Sequence, residues 1–344
     1  MGVDLGGILE KKKITLDALR GKTLAIDGYN ALYQFLAIIR GEAGEPLMDR
    51  TGRVTSHLSG LFYRTVNMIE KGIRVVYVFD GTPPVLKEIE IKRRTQIKDD
   101  ALMRYEEALK RGAMEEARRY AQMTSKLKDD MVDDAKRLLS NMGVPWVQAP
   151  SEGEAQAAYI VSKDDLWAVA SQDYDSLLFG APRLVRNLAL SGKRKLPGKN
   201  VYVEVETELS ELSRVLKDLG LTREQLIDLA ILLGTDYNPG GFKGIGPKTG
   251  LKLIKEHGDF ESVIKHLPDL APIEDLMTIR QIFLRPNVTS DYKIDWGKPD
   301  IDGIVQFLCG ERDFSEERVR NAIDRILKTG NIGDRITLEK FFGA

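Results

Sequence analysis

Pro150-Ser-Glu152-Gly-Glu154-Ala155 opens a stretch that passes through an apolar, helix-like run to Trp167-Ala-Val-Ala-Ser-Gln-Asp173-Tyr-Asp175-Ser176. Glu152 and Glu154 are two apart, and so are Asp173 and Asp175. Between the pairs lie one helix and one strand, a unit that folds back on itself. Asp173 and Asp175 follow a short apolar run ending in polar residues, the pattern of a buried strand that terminates. In open parallel α/β sheets, ligand sites lie at the carboxyl ends of the strands. Four carboxylates on one rim form a site for hard divalent cations.

The same pattern recurs upstream. Thr23-Leu-Ala-Ile-Asp27-Gly28 reads as a buried strand stopped by Asp and Gly, and Arg74-Val-Val-Tyr-Val-Phe-Asp80-Gly81 repeats it. Two strands ending in the same pair point to a shared rim. The expected fold is therefore α/β, with a twisted, mostly parallel central sheet flanked by helices. Residues 29–40 have helical period, with Tyr29, Leu32, Tyr33, Leu36 and Ile39 on overlapping apolar faces. A Gly- and charge-rich loop, 41–53, precedes a helix that Ser56 would cap and that runs to about Lys71. Residues 143–147 read as a short strand leading to a helix near Glu152, with Ser151 as its N-cap. Arg183 to Leu188 and Val201 to Val205 read as later, edge-type strands. From Leu209 onward the chain reads as mainly helical.

Pro83-Pro84 breaks the chain. From about Val85 to Leu139 nearly everything is helical and highly charged, with Lys87, Lys92, Arg93, Arg94, Lys98 and Arg104 among many cations interleaved with acids. A solvated helical excursion with i,i+4 pairs accounts for the composition. An arch or lid over the acidic rim accounts for the position between two acidic strand ends.

Leu226 to Leu233 reads as a buried helix, followed by a glycine-rich loop and Gly244-Ile-Gly246-Pro247-Lys248 opening an amphipathic helix. This resembles the hairpin of a helix–hairpin–helix unit. There, glycines let backbone amides approach a phosphate and the helix N-terminus favours negative charge. An ordinary connection between two helices is the plainer alternative. The tail ends Ile336-Thr-Leu338-Glu-Lys-Phe341-Phe342-Gly-Ala344. Leu338, Phe341 and Phe342 share one side of a helical turn, either docked on their own domain or offered to a partner.

The totals constrain the class. A length of 344 residues accommodates one large α/β domain or two ordinary ones, and 42% hydrophobic content supplies a core. The formal net charge of −1 removes any bulk electrostatic argument for nucleic acid, so such an argument must be local. Cys309 is the only cysteine, which excludes an intrachain disulfide and suits a reducing compartment. His57, His257 and His266 lack zinc-site spacing. No signal peptide and no apolar run of membrane length is found. A cytoplasmic protein is expected, and a charged content of 30% suits a thermophile.

Asp27, Asp80, Glu152, Glu154, Asp173, Asp175 and Asp236 all fall at expected strand or helix ends. Singly, an Asp there is a cap or turn residue. Seven on one rim would repel each other unless cations neutralised them. Without His or Cys ligands, the expected metal is Mg²⁺, with Mn²⁺ able to substitute. Two such ions roughly 4 Å apart suit in-line displacement at phosphorus. No Ser-His or Cys-His pair is evident, so water is the expected nucleophile and phosphodiester hydrolysis the expected reaction.

The chain resembles the flap endonuclease family, structure-specific 5′ nucleases related to the XPG-type repair nucleases. The resemblance rests on Ala25-Ile-Asp27, Thr55-Ser-His-Leu58, Tyr77-Val-Phe-Asp80-Gly81-Thr-Pro-Pro84, Ser151-Glu-Gly-Glu-Ala155, Ser171-Gln-Asp-Tyr-Asp-Ser-Leu-Leu178 and Gly244-Ile-Gly-Pro-Lys248. It implies a PIN-like nuclease core with a helical arch and a helix–two-turn–helix element. It also implies the organisation of the chain. A single nuclease domain would span 1–330, with an N-terminal region at 1–98, the arch at 85–139, an internal region at 140–236 and the DNA-binding element at 226–258. A clamp-binding tail would occupy 331–344. The implied activity is 5′ flap endonuclease and 5′–3′ exonuclease, cutting just inside the flap junction in Okazaki fragment processing and base-excision repair.

By the same resemblance, the seven carboxylates match the family's metal ligands. Lys87 and Arg94 match the arch residues that contact the scissile phosphate, and Tyr33 matches the aromatic that stacks on a base. Gly2, after removal of Met1, would place the amino terminus near the site. Thr55 falls where a one-nucleotide 3′ flap is held. Gly244, Gly246 and Lys248 would read the duplex backbone. The carbonyls of Gly241, Phe242 and Ile245 would hold a K⁺ ion. Leu338, Phe341 and Phe342 fit the anchors of a box that binds a sliding clamp of the PCNA type, with Arg335 where Gln is usual. The short tail, without a basic extension, is expected of an archaeal protein, and a monomer is expected. The rival readings are a bubble- or gap-preferring or processive 5′ exonuclease of the same superfamily, a non-catalytic DNA-junction binder, and a phosphatase using Asp173-Tyr-Asp175.

Overall fold

The computed structural model describes residues 2–41, 44–188, 192–195, 202–267 and 275–328. In chain order the elements are β1 Lys12–Ile14, β2 Thr23–Asp27, α1 Gly28–Ile38, α2 Ser56–Glu70, β3 Arg74–Phe79, α3 Glu88–Lys110, α4 Met114–Ala121, α5 Asp129–Asn141, β4 Trp146–Gln148, α6 Gly153–Ser162, β5 Ala168–Ala170, α7 Asp175–Leu178, β6 Arg183–Arg186, β7 Gly192–Lys195, β8 Tyr202–Val205, β9 Thr207–Glu211, α8 Leu212–Leu219, α9 Arg223–Leu233, α10 Pro247–His257, α11 Phe260–His266, α12 Leu276–Leu284, α13 Ile301–Val305 and α14 Glu316–Lys328. No described helix is long and apolar enough to cross a membrane.

The central sheet has seven strands in the order β1-β9-β6-β5-β2-β3-β4. β4, β3, β2, β5 and β6 run parallel, and β9 and then β1 add in antiparallel fashion at one edge. The apolar runs follow from burial on both faces. Successive side chains alternate between faces. Ala25, Val76, Val78 and Val169 join a core containing α6 and α9, whereas Leu24, Ile26, Val75, Tyr77 and Phe79 join a second core with α1, α2, α5 and α14. β3 lies on one side of β2 and β5 on the other, so the strand order reverses at β2. That reversal opens a crevice at the carboxyl ends.

Several local expectations are corrected. Arg183 to Arg186 is an interior strand, because β9 covers it on the side away from β5. β9 itself replaces the expected helical start at Leu209; its Thr207, Leu209 and Ser210 are buried in a polar-looking segment. β8 pairs with β7 in a separate two-stranded ribbon. Ser56 is the first residue of α2, not its cap. Its hydroxyl donates to the Ile39 carbonyl at 2.6 Å and accepts from the Leu47 amide, tying down the 41–53 loop. Ser151 likewise donates to the Thr82 carbonyl at 3.0 Å, and Glu152 takes the N-cap position of α6.

The charged excursion is shorter than 85–139. α3 buries only Glu90, Ala101 and Ala108, and α4 packs on it through Ala117 and Ala121. α5 belongs to the core, with Val132, Ala135, Leu138 and Leu139 buried against α2 and the sheet. α9 begins with a Thr222–Gln225 capping box and is buried on nearly every side. α10 packs on it and starts with Pro247 in its first turn, where a missing amide costs nothing.

Candidate active site

All seven carboxylates sit where the sheet and its flanking helices meet at the carboxyl end. Asp27 closes β2 and caps α1, accepting the Asn30 amide at 3.0 Å. Asp80 follows β3 and accepts the Gly153 amide at 2.6 Å. A Cβ on Gly153 would lie 2.6 Å from that carboxylate, so the close approach of α6 to β3 requires glycine. Glu152 and Glu154 occupy the N-cap and first turn of α6, and the Ser171 hydroxyl donates to Glu154 at 2.5 Å. Asp173 lies in the turn after β5 and accepts the Asn30 side-chain nitrogen Nδ2 at 3.4 Å. Asp175 opens α7 and accepts the Val3 amide at 2.9 Å. Asp236 follows α9.

The first described residues reach this rim. A Cβ on Gly2 would lie 2.3 Å from the Asp175 carboxylate. Gly2, Val3 and Asp4 line a cleft of about 470 Å³ together with Asp173, Arg93 and Gly240.

Two cations from the excursion come down onto the rim. The Lys87 ammonium contacts Glu152 and stands 3.6 Å from Asp236. The Arg94 guanidinium donates to Asp236 at 2.5 Å. Tyr33, on α1, carries the Lys98 ammonium 4.2 Å from its ring centroid. α3 is thus anchored over the carboxylates by Lys87, Arg94 and Lys98.

The electrostatics report a deficit of positive charge. Burial, and after it Asp80, pushes the Asp27 carboxyl up to about 8. Burial, then Asp236 and Asp173, pushes Asp175 up to about 7. Glu154 is held well above the carboxylate range by burial and by Asp175, Asp27 and Asp173. Asp80 and Glu152 are raised by burial even with Lys87 beside them. Burial works to lower Lys87, but Glu152 and Asp236 overcome it and its pKa ends raised. Such a set of oxygen donors fits hard divalent cations, which would relieve the mutual repulsion. Among the described residues, however, no three carboxylates close around one point to hold an ion as they stand. Two of the seven, Glu152 and Asp236, are paired instead with Lys87 and Arg94.

Other expected residues lie elsewhere. Thr55 is buried at the head of α2, its amide bonded to the Leu47 carbonyl at 2.7 Å. Gly244, Gly246 and Lys248 are exposed at the start of α10, with Gly244 at a φ of +87°. Gly241 and Ile245 are half-buried beside them, and Phe242 is buried with its amide bonded to the Leu232 carbonyl. The Phe242 carbonyl accepts the Ile245 amide at 3.1 Å. Leu338, Phe341 and Phe342 lie outside the described residues. Sequence reading passed over Glu90, Asn30 and Ser171. Glu90 alone carried a signal, its i+3 and i+4 spacing to Arg93 and Arg94.

Known proteins resemble this chain in sequence and in fold. Residues 1–101 match the XPG N-terminal domain and residues 143–236 the XPG I-region. Flap endonuclease 1 of Staphylothermus marinus is 58% identical over 333 residues, 95% of each chain. The solved structure of flap endonuclease-1 from Methanococcus jannaschii matches with a TM-score of 0.76 and 45% identity, covering 95% of this chain and 98% of that one. The catalytic core of Rad2 in complex with DNA substrate matches with a TM-score of 0.69 and 26% identity, covering 92% and 96%. Carboxylate rim, basic excursion and glycine-rich hairpin therefore stand in a chain that belongs to the flap endonuclease family of XPG-type nucleases.

Proposed function

We propose that this chain cuts branched DNA just inside a 5′ flap junction, by metal-dependent hydrolysis of one phosphodiester, and serves replication and repair in that capacity. The observation that carries the reading is the rim itself. Seven carboxylates from five segments of the chain share one electrostatic site, and two cations at the head of the overlying helix, Lys87 and Arg94, already rest on it.

Asp27, Asp80, Glu152, Glu154, Asp173, Asp175 and Asp236 would hold two Mg²⁺ ions, with Mn²⁺ as substitute. The cations would supply positive charge at the phosphoryl oxygens and promote attack by water. Lys87 and Arg94 are hydrogen-bond donors on a mobile-length side chain each. Once Glu152 and Asp236 are engaged by other cations, both heads are available to the scissile phosphate, Arg94 as a two-pronged donor. Tyr33 offers a ring face to a base beside that phosphate, a role now filled by Lys98. With Met1 removed, the amino group of Gly2 would face the rim on the Asp175 side.

The exposed amides at Gly244 and Gly246 and the Lys248 ammonium would grip the uncut duplex through its phosphates. The carbonyls around Gly241, Phe242 and Ile245 would hold K⁺ there. Thr55 would mark the pocket for a 3′ flap, and the tail anchors Leu338, Phe341 and Phe342 would dock on a sliding clamp. The test is Mg²⁺-dependent cleavage of a double-flap junction, a bubble and a blunt duplex. Fastest cutting of the flap near its junction upholds the reading, and preference for the bubble or blunt end moves the substrate to a sister nuclease.

A further inference from the structure

We infer that Glu90 is a positioning residue that holds the Arg94 guanidinium aimed at the carboxylate rim. The inference rests on the reading of Arg94 as a phosphate contact. Glu90 is one of only three buried residues of α3, and it is 2% exposed on a helix otherwise largely open to solvent. Burying a carboxylate is costly unless it is fully paired. Here it is. One oxygen accepts Arg94 Nε at 2.6 Å and Arg93 Nη2 at 2.8 Å, and the other accepts Arg93 Nε at 2.6 Å.

Arg94 is therefore forked. Its Nε edge is fixed one turn back on its own helix, and its Nη2 reaches across to Asp236 at 2.5 Å. Glu90 is not a member of the rim, so its hold on Arg94 survives when Asp236 turns to other cations. Among the described residues Lys87 has no such holder: the carboxylates it contacts, Glu152 and Asp236, both belong to the rim. A guanidinium has one plane, and fixing Nε fixes the direction of the two remaining nitrogens. Glu90 thus keeps the Nη edge of Arg94 facing the place where the phosphate must lie, at no entropic cost when substrate arrives. Arg93, exposed, closes the other side of Glu90 and keeps its charge balanced. An ordinary surface pair at i,i+4 would not be buried and would not bridge to a second element.

The experiment compares Arg94→Ala, Glu90→Ala, Glu90→Gln and the double variant Glu90→Ala/Arg94→Ala. It measures single-turnover cleavage of a 5′-flap DNA at saturating protein, flap affinity in EDTA, and thermal unfolding. Glu90→Ala is expected to slow cleavage by on the order of 10- to 100-fold, with flap affinity little changed. Glu90→Gln, which keeps an acceptor for Nε, should recover part of the rate. The double variant should cut no more slowly than Arg94→Ala alone. Wild-type rates in Glu90→Ala, or losses that multiply in the double variant, would overturn the inference. If Glu90→Ala fails to fold, Glu90→Gln combined with Arg94→Ala gives the same comparison. A wild-type rate in Arg94→Ala would instead overturn the phosphate reading of Arg94, and this inference with it.

Discussion

Replacing Asp175 by Asn should stabilise the metal-free protein while removing its activity. Asp175 is 5% exposed, and its Oδ1 accepts the Val3 amide at 2.9 Å. Asn keeps that acceptor and loses the charge. Burial, Asp236 and Asp173 push the folded carboxyl up to about 7 from 3.8. A carboxyl raised on folding opposes folding above its unfolded pKa, because the unfolded chain ionises freely and the folded one does not. The gap corresponds to a ceiling of about 4 kcal/mol. Glu154 and Asp173 share the same repulsion, so roughly half of that, about 2 kcal/mol, is the expected gain. For a chain of this length the unfolding entropy is on the order of 0.7 kcal/mol per kelvin, so the gain corresponds to a rise of about 3 °C in Tm. Calorimetry in EDTA at pH 8 measures it, and the difference from wild type should close as pH falls through 7 toward 4. Added Mg²⁺ should then stabilise wild type more than the variant. Flap cleavage by Asp175→Asn should be lost while flap binding persists. An unchanged or lowered Tm in EDTA would refute the repulsion argument, and normal turnover would remove Asp175 from the metal site.

His57 is fully buried, and neither ring nitrogen has a hydrogen-bond partner among the described residues; burial pushes it down to about 4 from 6.5. Its neutral form is the folded one, so stability should fall by up to about 3 kcal/mol as pH drops from 6.5 to 4 and level off below. The wild-type midpoint in denaturant should fall relative to that of His57→Leu across this pH window, the rim carboxyls cancelling in the comparison; a pH-independent difference between the two would contradict it. Lys248→Ala should weaken duplex binding and reduce the salt slope of binding by about 0.9. An unaltered slope would mean that Lys248 touches no phosphate. Phe341→Ala should diminish clamp stimulation and leave intrinsic cleavage intact, and full stimulation of the variant would place the docking site elsewhere.

The rim carboxylates were legible because strand ends are local events. An apolar run stopped by Asp-Gly, or by Asp-x-Asp, marks where a buried strand reaches solvent, and Asp27, Asp80 and Asp173 all stand just there. Pro247 at the start of α10 and the alternation that builds two cores are local in the same sense. Strand adjacency is not. β6 looked like an edge because Arg183 and Arg186 flank two apolar residues, yet β9, more than twenty positions later, pairs with it. β9 was hidden because Thr207 and Ser210 are polar and buried. Ser56 and Ser151 looked like caps on spacing alone, but partners at Ile39 and Thr82 took their hydroxyls.

Sequence by itself determined what the chain offers: seven carboxylates at strand and helix ends, one cysteine, three scattered histidines, and a highly charged insertion placed between acidic strand ends. Tertiary structure decided which charges meet. Lys87 reaches Glu152 across 65 positions, Arg94 reaches Asp236 across 142, and Val3 reaches Asp175 across 172. It also decided that Glu90, one acid among many in a charged helix, is buried between two guanidinium groups. Composition and period report what a residue offers and which face it prefers. Which carboxylate loses its water, and which cation then compensates it, depends on chain segments that only the packed sheet and its overlying helices bring within hydrogen-bond distance.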